Sequence, residues 1–137
     1  MARILVVDDD DSIRFLLRAV LELRGYDVIE AENGYEGLLR YQAEPTDLVI
    51  TDMQMPVMDG LELIMELQRA FPWVKVVAIS GGRRTLEMAR TFTPYTFEKP
   101  FSLEEVLDTV QELVSTPTPA TLEYAGMAMS DGVQVTA

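Results

Sequence analysis

The sequence predicts an α/β fold built on buried parallel strands, and three observations predict it. Short β-branched runs recur, clearest in Ile4-Leu5-Val6-Val7 and Leu48-Val49-Ile50-Thr51. Amphipathic stretches of helical period separate them. Acids stand where the two runs end, Asp8 and Asp9 after the first and Asp52 after the second. In open α/β sheets ligands bind outside the carboxyl ends of the strands, so these three acids are expected to converge there.

The elements follow in order. After the Ile4 to Val7 strand, a helix is expected from about Ser12 to Arg24, with Ile13, Leu16, Leu17, Val20 and Leu23 on one face. Asp10 and Asp11 read as its cap and first turn, where aspartate meets the positive end of the dipole. Gly25 stops this helix, and Tyr26 to Glu30 form a weaker strand. Asn33-Gly34 opens a helix to about Ala43, which Pro45 ends before the strand that closes on Asp52. A helix from about Gly60 to Ala70 and a strand from Val74 to Ser80 come next, broken by Gly81-Gly82. A short helix from about Arg84 to Arg90 leads to the strand Tyr95 to Glu98. Ser102 and Glu105 then make a capping box for a last helix to Val114. Thr116-Pro117-Thr118-Pro119 reads as a linker, and 116–137 as linker and disordered tail, with docking on the domain or on a partner through Leu122, Tyr124, Met127, Met129 and Val133 as the alternative that the sequence leaves open.

With 137 residues the chain suits one domain, over 1–115, that buries roughly two thirds of its unfolded surface. Lysine and arginine number 11 against 23 acids, a formal charge of −12, which argues against binding nucleic acid or an anionic membrane. There is no cysteine, which excludes disulfides and thiolate chemistry. Histidine is absent too, so the metal donors left are hard oxygens that suit Mg²⁺ or Mn²⁺. No signal-peptide pattern follows Met1-Ala2-Arg3 and no apolar run is long enough for a bilayer, so the expected location is cytoplasmic.

Three converging acids need an explanation. Two carboxylates about 4 Å apart repel by roughly 4 kcal/mol at an effective dielectric near 20, so three coexist only with a cation or with raised pKa values. The cluster predicts a bound metal.

The stretch Asp52-Met53-Gln54-Met55-Pro56-Val57-Met58-Asp59-Gly60 resembles the loop after the phosphoacceptor strand of response-regulator receiver domains. The resemblance runs from Arg3 to about Val114. It takes in Asp8-Asp9, Ala31-Glu32-Asn33-Gly34, Ser80 and Lys99-Pro100-Phe101. It implies a doubly wound, flavodoxin-like sheet of five parallel strands in the order 2-1-3-4-5, with helices on both faces. It implies Asp52 as the nucleophile that accepts a phosphoryl group, in a signalling receiver rather than an enzyme with a separate substrate. Asp8, Asp9, Asp52 and the backbone carbonyl of Gln54 are then the Mg²⁺ site, Asp8 mainly through water, and Mn²⁺ is an alternative. Lys99 and Ser80 each address one phosphoryl oxygen. The Lys99-Pro100 peptide is expected to be cis. The implied donor is a phosphohistidine on a histidine kinase or histidine phosphotransfer protein, since this chain has no histidine. No DNA-binding module is recognised after the receiver-like segment, so output is expected through a protein partner.

Two other readings use the same acids. A Mg²⁺-dependent phosphohydrolase of the haloacid-dehalogenase type would take Asp8-Asp9-Asp10 as its D-x-D motif, but it leaves Asp52, Met55-Pro56 and Asp59-Gly60 unexplained. A degenerate receiver used only for binding is opposed by the complete set Asp8, Asp9, Asp52, Ser80 and Lys99. Met53, Met55, Met58 and Met65 read as packing residues. The chain departs from the family at the position three before the lysine, usually aromatic, which is Thr96 here. Tyr95, one place earlier, is expected on the opposite strand face. The segment between Ser80 and Lys99 leaves room for only about two helical turns, and a nonstandard partner surface is expected around Arg83, Arg84, Arg90 and Tyr95.

Overall fold

The computed structural model describes residues 1–115, so the linker and tail expected over 116–137 lie outside the described residues. Five strands alternate with five helices: β1 (Arg3–Val7), α1 (Asp11–Leu23), β2 (Asp27–Ala31), α2 (Gly34–Ala43), β3 (Leu48–Asp52), α3 (Gly60–Ala70), β4 (Val76–Ser80), α4 (Arg83–Arg90), β5 (Thr96–Glu98) and α5 (Leu103–Leu113). All strand pairs are parallel, and the sheet order is β2-β1-β3-β4-β5, as expected.

The three central strands, β1, β3 and β4, are mostly apolar because each face of the sheet carries its own core, whereas the edge strands β2 and β5 keep charged residues. Ile4, Val6, Leu48, Ile50, Val77 and Ile79 face one way and pack with Leu17 and Leu21 of α1 and with Val106, Val110 and Leu113 of α5. The alternate positions Leu5, Val7, Val49, Val76 and Ala78 pack with Tyr41 of α2 and with Leu63, Ile64 and Leu67 of α3. A side-chain period of two distributes one apolar run between both layers.

Several boundaries differ from expectation. β4 begins at Val76 rather than Val74, because the Val74 N–H closes a turn on the Phe71 carbonyl at 3.0 Å. On α1 the buried residues are Leu17 and Leu21, whereas Leu16 and Leu23 are 44% and 86% exposed. At about 100° per residue, Ile13, Val20 and Leu21 lie within about 60° of Leu17, while Leu16 and Leu23 fall 100° or more away. Met53 is buried, and Met55 and Met58 pack on the second core, but Met65 is half exposed on α3. Side chains cap four of the five helices: Asp10, Asn33, Asp59 and Ser102 each accept from backbone N–H groups of the first turn. The exception is α4, whose cap is Gly82. Among the described residues no helix is long and apolar enough to cross a membrane.

Candidate functional site

Register decides which side chains meet at the carboxyl edge of the sheet. Val7 pairs with Thr51, so Asp8 leaves β1 beside Asp52, the last residue of β3. Asp52 pairs with Ile79, so Ser80 ends β4 one step beyond. Ser80 in turn pairs with Glu98, and the Lys99 N–H donates to the Ser80 carbonyl at 2.9 Å. Four sequence-distant residues thus reach one edge without any long loop.

Carboxylate oxygens of Asp8, Asp9 and Asp52 lie within 4.8 Å of one another. Asp8 and Asp52 are only 2% and 5% exposed, while Asp9 is open to solvent. Lys99 Nζ stands 3.3 Å from Asp52 Oδ1 and 3.7 Å from Asp8 Oδ2. Burial pushes the Asp8 carboxyl up to about 6, and the nearby Asp52 and Asp9 charges add to the rise. The Asp10 N–H, which donates to Asp8 Oδ1 at 2.8 Å, and the Lys99 ammonium oppose it. Burial also raises Asp52, against the pull of Lys99. One ammonium does not neutralise three acids. The donor set fits a hard divalent cation: it is all oxygen, and it is strained by like charges that a cation relieves.

The loops around the edge are fixed by backbone contact. The Gly60 N–H donates to the Met53 carbonyl at 3.1 Å, and a Cβ at Gly60 would lie 2.3 Å from the Asp52 carbonyl oxygen. The start of α3 therefore packs directly on the residue that carries the carboxylate. Gly34 makes a similar approach, its N–H donating to the Met58 carbonyl at 3.0 Å, which ties α2 to the same loop. Gln54 is exposed, and its amide reaches towards Gly82 on the facing loop. The Lys99-Pro100 peptide is cis.

Ser80 is fully buried, and its hydroxyl is engaged locally: Oγ accepts from the Gly82 N–H at 3.0 Å and meets the Thr85 hydroxyl. Thr85 was not visible as a site residue in the sequence, where a threonine five places after a serine carries no distinctive signal. Arg14 was missed as well. Its guanidinium donates to the Asp8 carbonyl at 2.7 Å and pairs with Asp11 and Glu30, anchoring the β1 end from α1. Asp10 spends its carboxylate on the α1 cap, accepting from the Ser12 N–H at 2.9 Å, which leaves the D-x-D reading without its second acid. Tyr95 packs on the α1 and α5 core, and Thr96 turns the other way, its hydroxyl accepting from Arg90 Nε at 3.3 Å. α4 spans eight residues, about two turns, as its short segment implied.

Residues 4–111 match the response regulator receiver domain family. The response regulator receiver protein CpdR of Brucella abortus is 32% identical over 117 residues, covering 83% of this chain and 98% of the relative. The transcriptional regulatory protein GlrR of Escherichia coli is 32% identical over 125 residues, and there the match covers 89% of this chain but only 28% of the relative's length. Among solved structures, the response regulator protein TrrA of Thermotoga maritima, in complex with Mg²⁺ and BeF, superposes with a TM-score of 0.77 at 33% identity, covering 82% of this chain and 99% of that one.

Proposed function

The chain belongs to the response regulator receiver family of two-component signalling, and from that premise we propose that Asp52 is its phosphoacceptor, with Asp8, Asp9 and the Gln54 carbonyl completing a Mg²⁺ site. The observation that carries this reading is the meeting of three carboxylates and one ammonium at the end of β3. When bound, the ion supplies positive charge against the attacking and transferred oxygens, which is most of what phosphoryl transfer requires. Mn²⁺ satisfies the same oxygen donors.

An Asp52 carboxylate oxygen attacks phosphorus, forming the O–P bond as the N–P bond of a phosphohistidine breaks, and the imidazole nitrogen leaves with the electron pair. The carboxylate brings its own electrons, so no protein base is needed. Lys99 has two tasks at its position 3.3 Å from Asp52. It favours the ionised nucleophile before transfer, and it pairs with a phosphoryl oxygen afterwards. Ser80 donates its hydroxyl to another of these oxygens. The switch is a population shift, with the loops after β3, β4 and β5 following the new ligand.

The phosphoryl donor in this reading is a histidine kinase or a histidine phosphotransfer protein, and the chain acts in the cytoplasm as a receiver for a protein target. Its charge of −12 disfavours direct contact with nucleic acid. Residues 1–115 make up the receiver and 116–137 a linker and tail. The partner surface lies around Arg83, Arg84, Arg90 and Tyr95. Intact mass after incubation with Mg²⁺ and acetyl phosphate tests the chemistry. A Mg²⁺-dependent phosphoryl adduct is expected in the wild type and not in Asp52→Asn, whereas an adduct that survives the substitution moves the nucleophile elsewhere.

A further inference from the structure

The hydrogen-bond chain at the start of α4 fixes its own proton directions. A hydroxyl has one proton to donate. The Thr85 hydroxyl gives its proton to the Gly82 carbonyl at 2.8 Å, so towards Ser80 it acts as acceptor. Ser80 Oγ already accepts from the Gly82 N–H at 3.0 Å, and its single proton points to Thr85. In the resting chain the proton that a phosphoryl oxygen would take is committed.

The same bonds hold α4. This helix has no side-chain cap, and both arginines of its first turn oppose the helix dipole. Its first turn is joined to β4 by Ser80, Gly82 and Thr85, and its last turn to β5 by Arg90 and Thr96. Gly81 and Gly82, the residues between β4 and α4, give this joint backbone freedom. Beside Thr85 lies a pocket of about 60 Å³, lined also by Met53, Asp59, Leu61 and Met88, into which a released side chain can turn.

We propose that Thr85 is a positioning residue, a latch that holds the Ser80 hydroxyl in the resting state and is released when Ser80 turns to a phosphoryl oxygen, freeing the first turn of α4. The inference rests on the reading that Ser80 donates to the phosphoryl group. It gives this chain a route from Asp52 to α4 that does not need an aromatic side chain at Thr96. The latch opposes phosphorylation, so its removal favours the activated state.

The test uses the full chain with Mg²⁺ and beryllofluoride as the phosphoryl mimic, reading the half-saturating concentration and the α4 amide resonances by NMR. Thr85→Val removes the hydroxyl at nearly constant volume. Losing one net hydrogen bond from the resting state alone tightens beryllofluoride binding about threefold to tenfold. The resting resonances of 82–86 move towards their saturated positions. Thr85→Ser keeps the wild-type values, and Thr85→Ala, which suits a helix, serves as a second deletion if valine impairs folding. In a Ser80→Ala background, Thr85→Val is expected to leave the half-saturating beryllofluoride concentration unchanged, although it still removes the bond to the Gly82 carbonyl, whereas a role confined to capping α4 would shift affinity in both backgrounds alike. If Ser80→Ala weakens binding but Thr85→Val and Thr85→Ala leave it unchanged or weaken it, the latch is wrong and the Ser80 reading stands. If Ser80→Ala leaves binding unaltered in the Thr85→Val background, where no resting bond offsets the loss, Ser80 does not touch the phosphoryl group, and both fall.

Discussion

Single residues show where this chain accepts local cost. Val57 has φ +70° in the loop between β3 and α3, the left-handed region that β-branched residues avoid, and its side chain is 79% exposed. With little burial to offset the strain, the backbone conformation is being held by its neighbours: the Met58 N–H bonds to the Pro56 carbonyl, and the Met58 carbonyl accepts from Gly34. Asparagine tolerates this region far better than valine. Val57→Asn is therefore expected to stabilise the chain by about 1 kcal/mol, seen as a higher urea midpoint with an unchanged m-value. A lower midpoint would mean that the valine side chain contributes packing that outweighs its backbone strain. Such detail could not be read from the sequence, where Val57 was one more residue of a matched loop. The acids were legible for the opposite reason. Asp8, Asp9 and Asp52 follow apolar runs whose ends are visible as changes of composition, and strand ends are where register gathers residues. Thr85 and Arg14 act through contacts across elements, and sequence spacing says nothing about those.

At the scale of elements, α4 is the least self-sufficient. α1, α2, α3 and α5 each have a side-chain cap and an acid in the first turn, so their starts were largely legible in the sequence. α4 has Gly82 as its cap and Arg83 and Arg84 at its positive end, with Arg90 the cation of its last turn. No ion pair joins Arg83 or Arg84 to an acid among the described residues. Two cations placed against a dipole do nothing for the helix, which fits a role at the proposed partner surface. Arg83→Glu and Arg84→Glu are each expected to stabilise the chain by about 0.3–1 kcal/mol through the dipole, measured by urea unfolding at moderate salt. The gain should coincide with loss of partner affinity. Destabilisation by both changes would instead give the arginines a structural role, and unchanged affinity for every partner would remove them from the surface. The expected β4 start was wrong for a related reason: Val74 has strand-like neighbours, but a turn closed on Phe71 claims its N–H first.

For the whole molecule, the two cores on either face of the sheet stabilise a fold whose carboxyl edge works against it. Domains keep only about 5–15 kcal/mol of net stability, so one unfavourable buried charge is felt globally. Asp8 is nearly buried, and its carboxyl is raised from 3.8 to about 6, first by burial. The sign follows from proton binding. Between these values the native chain holds the proton more tightly than the unfolded chain, so the stability linked to Asp8 is complete below about 3.8 and is lost as pH rises through about 6. Metal-free chain should therefore unfold at lower urea at about pH 7 than at about pH 5, despite the usual preference of proteins for the range up to 8. A divalent cation reverses the balance, because it binds the ionised carboxylates of the native state and stabilises by mass action. Millimolar Mg²⁺ is expected to raise the midpoint at pH 7 far more than at pH 5, where protons compete for Asp8. Asp8→Asn separates this from the self-repulsion of a chain with charge −12, which also grows with pH. The variant should lose most of the difference between pH 5 and pH 7 and most of the Mg²⁺ effect, while keeping the slope that belongs to the remaining acids. If wild type and Asp8→Asn instead respond to pH alike, Asp8 is not the group whose ionisation the fold resists, and the cation would have to act through Asp52 and Asp9 alone.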